Sequence, residues 1–318
     1  MTYDPRPRTL FFGTPDFAAV SLEALVDAGF EVPLVVTQPD RPVGRHAAPQ
    51  PSAVAALARV RGIPIEKPET VRGSAALLEA LTRLQPDAIA VVAYGRILPR
   101  EILDLPRLGC VNVHASLLPR WRGASPIQAA ILAGDPETGV ATMRMEEGLD
   151  TGPVYLERRV AIGGRETAGE LSARLAPLGG ALLVETLAGI AAGTLRARPQ
   201  QGEPTLCRPI RREDALVDWE RPAEEILRRL RAFTPWPGLY TFLEGERVKI
   251  LEADAWPAGS AAAPGAFELS SGELVVAAGG RSALRLGRLQ RAGRRPVTGV
   301  EFARAARLPG RFGVGSPA

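Results

Sequence analysis

Cysteine is scarce. Cys110 and Cys207 are the only two in 318 residues, too few for a disulfide framework or a thiolate metal cage. Histidine is equally scarce, with only His46 and His114, and two distant histidines with two distant cysteines do not suggest a zinc site. Lysine is reduced to Lys67 and Lys249, so arginine carries the positive charge. No run of about 18 apolar residues occurs, and no transmembrane helix is expected. The opening MTYDPRPRTLFFGTPDF has too short an apolar run, and too early a Pro and Asp, for a secretory signal. These scarcities predict a cytoplasmic location and no membrane partner. Three motifs are missing as well. There is no G-x-S-x-G elbow for an α/β-hydrolase, no G-x-G-x-x-G after the first strand for a dinucleotide, and no Walker A loop.

What is present is an ordinary globular balance: 46% hydrophobic, 23% charged and a net charge of +4. That excludes wholesale disorder, and the length suits two domains. Charge is uneven. Residues 1–204 sum to −1 and residues 205–318 to +5. A basic C-terminal third suits a polyanionic partner, because cationic side chains displace counterions from phosphates. A chain simply biased toward arginine would look the same.

The N-terminal part alternates strands and helices. TLFFG (9–13), VPLVVT (32–37), DAIAVVAYG (87–95), GCVNVHAS (109–116) and GVATMRM (139–145) read as strands. Helical patterns cover 16–28, 53–61, 74–84, 125–133 and 167–192. This order predicts an α/β domain over 1–192, a mostly parallel sheet with helices on both faces. Ligands in such sheets sit beyond the carboxyl ends of the strands. QPDRPVGRHAAPQPS (38–52) is too rich in proline to be regular, and a loop that long is usually functional. Residues 193–209 read as a linker. From 210 to 318 a helix (222–232) precedes short strands, among them a hairpin about Gly245, so a small antiparallel β-barrel domain is expected.

The candidate chemistry gathers at Asn112, His114 and Asp150. Alternation along a strand puts Asn112, His114 and, if the strand persists, Ser116 on one side. A carboxamide N–H can stabilise an oxyanion, and an imidazole can move a proton on or off a nitrogen near neutral pH. Asp150, set among glycines in EEGLDTGP, can orient the imidazole. A lone strand-end histidine is also compatible with a purely structural role.

Six segments resemble the methionyl-tRNA formyltransferase family, one of the formyltetrahydrofolate-dependent transferases. They are FFGTPDFAA (11–19), TQPDRPVGR (37–45), VVAYGRILP (91–99), GCVNVHASLLPRWRGASPIQAAILAGD (109–135), GLDTGP (148–153) and FTPWPG (233–238). The resemblance implies a Rossmann-like catalytic domain followed by an OB-like barrel that binds tRNA. It implies transfer of a formyl group from 10-formyltetrahydrofolate to the α-amine of methionyl initiator tRNA, without metal. Asn112, His114 and Asp150 fall on the family's catalytic trio. Ser116, Leu117, Leu118 and Pro119 fall on its folate-binding stretch, with Val92, Ala93, Tyr94, Glu147, Gly148 and Leu149 around the pterin. Arg41 and Arg45 fall on the loop that meets the acceptor stem. Where relatives often carry lysines after that loop's Gly-Arg, this chain has His46-Ala47-Ala48, a lower charge. Trp236 in TPWPG suits packing better than stacking. A folate-dependent transferase for a small amine is the alternative function; a non-enzymatic RNA-binding module leaves His114 and Asp150 without a purpose. A monomer is expected, since no interface helix stands out.

Overall fold

The computed structural model describes residues 6–42, 48–306 and 309–313, and the chain divides into two compact units. The first comprises residues 1–126, 137–161 and 172–208, the second 127–136, 162–171 and 209–318.

In chain order the elements are β1 (Thr9–Gly13), α1 (Asp16–Asp27), β2 (Val35–Val36), β3 (Arg41–Pro42), β4 (Pro49–Gln50), α2 (Ala53–Val60), β5 (Ile65–Glu66), α3 (Ala75–Arg83) and β6 (Ala88–Val92). Then come α4 (Arg100–Leu103), β7 (Cys110–His114), β8 (Arg122–Gly123), α5 (Pro126–Ala133), β9 (Glu137–Arg144), β10 (Val154–Ala161), α6 (Ala168–Ala191) and β11 (Leu206–Cys207). One sheet runs in the order β10-β9-β7-β6-β1-β2-β5. Its β7, β6, β1, β2 and β5 are parallel; β9 runs against them, and the edge strand β10, antiparallel to β9, runs in their direction again. Three strands, β1, β6 and β7, are buried along their whole length. Both faces are covered, which explains the apolar runs Leu10–Phe12 of β1 and Ala88–Val92 of β6; β7 breaks the rule with Asn112 and His114. On one face Leu22, Leu25, Val54, Ala58, Leu183 and Leu187 of α1, α2 and α6 pack on Phe11, Ala90 and Val113. On the other, Leu77, Leu81 and Ile102 of α3 and α4 pack on Phe12, Val91 and Cys110. Ser52 and Ser74 cap α2 and α3 by accepting hydrogen bonds from Ala55 N and Leu77 N.

The second unit continues with α7 (Ala223–Ala232), β12 (Tyr240–Leu243), β13 (Glu246–Ala255), β14 (Ala266–Ser270), β15 (Glu273–Ala277), β16 (Ala283–Arg291), β17 (Val297–Thr298), α8 (Gly299–Ala305) and β18 (Gly310–Arg311). Its antiparallel sheet runs β12-β13-β16-β15-β14-β18, and a bridge between Phe242 and Gly313 brings the two edges together. The result is the nearly closed barrel expected from the spacing of its strands and turns. The hairpin of β12 and β13 turns on Glu244 and Gly245, both with positive φ, as a tight two-residue turn requires. Phe312 fills the interior against Trp219, Phe267 and Phe302.

Four expectations need correction. Segment 38–52 is not wholly irregular, because Arg41 pairs with Gln50 and Pro42 with Pro49 in a short antiparallel ribbon. Residues 193–209 are not a free connector: β11 pairs in parallel with β8. The first unit's edge strand β10 escaped notice because its Glu157, Arg158 and Arg159 are exposed and hide the apolar alternation. Trp236 is 52% exposed and does not fill a core.

Candidate active site

β7 lies in the interior of the sheet, between β6 and β9, with Asn112 opposite Val91 and Met143 and His114 opposite Ala141. Both side chains stand on the face that Cys110 shares, and both are nearly buried, at 9% and 6% exposure. The strand stops at His114. Ser116 therefore leaves the alternation, and its buried hydroxyl donates to the Arg120 carbonyl at 2.6 Å, closing a turn.

Asp150 arrives from an unexpected direction. Because β9 is antiparallel to β7, the chain leaves it opposite Val111, three residues before His114. The loop then runs back, and Asp150 Oδ2 comes within 3.7 Å of His114 Nδ1. Asp150 has φ of 51°, a left-handed conformation that Asp and Asn tolerate better than most residues. The same Oδ2 accepts a hydrogen bond from Gly123 N at 2.8 Å.

The imidazole is held from both sides. His114 Nε2 lies 2.9 Å from the Trp121 carbonyl oxygen. A carbonyl only accepts, so Nε2 carries a hydrogen whatever the charge on the ring. Nδ1 is then the nitrogen that faces the carboxylate. Cys207 Sγ donates to the same Trp121 oxygen at 3.4 Å. Burial pushes the Cys207 thiol up and the nearby Asp150 charge adds to this, against the pull of the Ser125 backbone.

Backbone packing around the pair leaves no room for side chains at two glycines. A Cβ on Gly123, at φ of 119°, would sit 2.1 Å from the Cys207 carbonyl oxygen. One on Gly152 would sit 1.8 Å from that of Arg144. Among the described residues, no three His, Cys, Asp or Glu side chains are grouped as a metal cage would require.

The other expected residues are dispersed in character. Val92 turns into the core on the face away from Asn112, so only its backbone is available at that edge. Tyr94 is buried edge-on against Phe12, its ring centroid 5.2 Å away, and its hydroxyl has no partner among the described residues. Burial raises its pKa. Leu118 is buried with Ala141 and Met143, and Leu117 and Pro119 are half-buried. Ala93, Glu147, Gly148 and Leu149 are exposed. Arg41 is exposed on the β3–β4 ribbon, and Arg45 lies outside the described residues. The ribbon's base is tied to the loop after β6: Gln38 Nε2 donates to the Tyr94 carbonyl at 3.1 Å, and Arg96 Nε to Gln38 Oε1 at 3.0 Å.

Sequence reasoning named neither Gln200 nor Thr205 among the site residues. Gln200 Nε2 donates to the carbonyls of Asp150 and Gly152, at 2.8 and 2.7 Å. Thr205 Oγ1 accepts from Trp121 N at 2.8 Å. Neither contact follows a period, so no pattern announces it.

The formyl transferase family model matches residues 7–187, and the formyl transferase C-terminal domain matches residues 209–307. The methionyl-tRNA formyltransferase of Anaeromyxobacter dehalogenans is 48% identical over 316 residues, covering 97% of this chain and 100% of its own. That of Aromatoleum aromaticum is 46% identical over 298 residues and 93% of each chain. Among solved structures, the sugar 3N-formyltransferase WlaRD, crystallised with dTDP and 5-N-formyl-THF, superposes with a TM-score of 0.67. It is 17% identical, over 91% of this chain and 98% of its own, a likeness of fold.

Proposed function

This chain belongs to the methionyl-tRNA formyltransferase family, and we propose that it moves a formyl group from 10-formyltetrahydrofolate to the α-amine of methionyl initiator tRNA, with Asn112, His114 and Asp150 as the reacting centre. The match to relatives of that name over nearly the whole chain carries the reading. The reaction passes a one-carbon unit between two nitrogens. The attacking amine must shed a proton, the formyl oxygen gains negative charge, and the departing folate nitrogen must take up a proton. Asn112 offers carboxamide N–H groups to the developing oxyanion. His114, with Nε2 held by the Trp121 carbonyl, takes the amine proton on Nδ1, and Asp150 stabilises the resulting cation. The same nitrogen returns the proton to the leaving group.

The folate stretch runs through Ser116, Leu117, Leu118 and Pro119, with the backbone of Val92, Ala93 and Tyr94 and the Glu147–Leu149 loop beside the pterin. Ser116 contributes through the turn it closes, since its hydroxyl is engaged by Arg120 O. Arg41 and Arg45 meet acceptor-stem phosphates, and the basic C-terminal third, residues 205–318, adds to tRNA affinity. Such an enzyme works as a cytoplasmic monomer.

The test is a formylation assay with methionyl initiator tRNA beside uncharged initiator tRNA, elongator tRNA and small amino sugars. Formylation of the charged initiator alone, with retention that falls steeply with salt, supports the reading. Formylation of an amino sugar without any of the tRNA would reassign the acceptor.

A further inference from the structure

The segment expected as a linker crosses both loops that hold the reacting centre. Arg198 and Val154 exchange backbone hydrogen bonds at 2.8 Å in each direction. Thr205 N donates to the Pro119 carbonyl at 3.2 Å, Arg122 N to the Thr205 carbonyl at 2.9 Å, and Ala124 N to the Cys207 carbonyl at 3.2 Å. Residues 198–207 thus bind the 119–124 loop, which presents the Trp121 carbonyl to His114, and the 150–154 stretch, which presents Asp150.

Gln200 joins the two. Its Nε2 donates to the carbonyls of Asp150 and Gly152, while its Oε1 accepts from Arg122 Nε at 3.1 Å and Arg122 Nη2 at 2.8 Å. These four bonds use the carboxamide as donor and as acceptor at once, which neither a carboxylate nor an apolar side chain can do. They fix a backbone in the left-handed region, where Asp150 sits at φ of 51°. Relaxation of that φ would swing the carboxylate away from His114 Nδ1.

We propose that residues 198–207 form a strap across the reacting centre and that Gln200 is its positioning residue, holding Asp150 so that the carboxylate faces the imidazole. This rests on the assignment of Asp150 above. Gln200 touches no reacting atom; it acts through Asp150. The strap's place at the end of the first unit makes its sequence look like a connector, although its hydrogen bonds belong to catalysis.

The test is a double-mutant cycle in the full-length protein: Gln200→Glu, Asp150→Asn and the double variant, read by single-turnover formylation rate, KM for both substrates and melting temperature. Gln200→Glu keeps an acceptor for Arg122 but loses both donors. The expected result is a rate lowered by about tenfold or more with KM values within about twofold, the scale of a misplaced supporting group. On the Asp150→Asn background the same substitution should cost almost nothing further. Arg122→Met, which releases Oε1, should show the same non-additivity and reads the coupling if the glutamate variant does not fold. Losses that multiply in the double variant overturn the proposal. Slow Asp150→Asn beside Gln200→Glu at full rate overturns the strap alone, whereas Asp150→Asn at full rate overturns the assignment of Asp150 and the strap's role with it.

Discussion

Replacing Asp150 by asparagine isolates one charge. Asparagine has nearly the same shape, tolerates the left-handed φ of 51°, and can still accept from Gly123 N. What disappears is the carboxylate charge 3.7 Å from His114 Nδ1. The two side chains are 16% and 7% exposed, so water screens the pair only partly. At an effective dielectric of about 20, unit charges at that separation attract by about 4 kcal/mol. The asparagine dipole recovers part of this, leaving a loss of about 2–3 kcal/mol in any step that places a cation on His114. That is a fall of about 30- to 150-fold in the chemical rate. Single-turnover formylation measures it directly, because product release does not mask the step. Melting temperature should move by no more than a few degrees, since hydrogen bonding and backbone are retained. A folded Asp150→Asn protein that formylates within about threefold of the unaltered enzyme would refute the argument, and with it the idea that the proton passes through Nδ1.

Three further outcomes follow from the geometry. Gly123→Ala sets a methyl group against the Cys207 carbonyl at a φ few side chains adopt; strain and weakened β8–β11 bonds should cost about 3–5 kcal/mol in denaturant unfolding, with turnover falling alongside. A variant as stable as the parent would show that β8 and β11 separate freely. Both thiols should resist alkylation in the native protein: burial pushes Cys110 up to about 12 and also raises Cys207, so little thiolate exists near pH 8, and mass spectrometry should find both unmodified after brief iodoacetamide treatment. Reaction should quicken as the pH rises, the sign expected for raised thiols. Arg41→Ala should raise KM for charged tRNA several-fold and flatten its salt dependence while leaving folate KM unchanged; an equal rise in both would make the ribbon a structural part of the folate side.

Much of the fold was readable because it obeys periods. β1 and β6 announce themselves as apolar runs between turn residues, β7 as valines alternating with Asn112 and His114, and α1, α2 and α3 as stripes that end near Gly29, Gly62 and Gln85. β10 was not readable, since this edge strand is exposed on both faces at Glu157, Arg158 and Arg159, where a buried strand would carry valines. The four-residue α4 is too short for a helical stripe to show.

The proposed reacting centre divides in the same way. Asn112 and His114 share a face because they are two apart on one strand, a relation visible in five letters. Asp150 is 36 residues from His114, and strand order alone misplaces it: β9 delivers its loop to the opposite end of β7 from the one His114 occupies. What returns the carboxylate to the imidazole is a pair of hydrogen bonds between side chain and backbone, from Gly123 N to the carboxylate and from Gln200 Nε2 to the Asp150 carbonyl, spanning 27 and 50 residues. Such contacts leave no alternation, stripe or turn signature, so GEPTLC reads as filler when it binds the loop that carries His114's hydrogen-bond acceptor. The sequence pattern therefore locates the proposed proton-transfer group, while the angle at which its partner carboxylate meets it is set by residues that pattern cannot distinguish from a linker. For that reason Gln200 and Arg122, rather than further residues of β7, are where substitutions should separate turnover from folding.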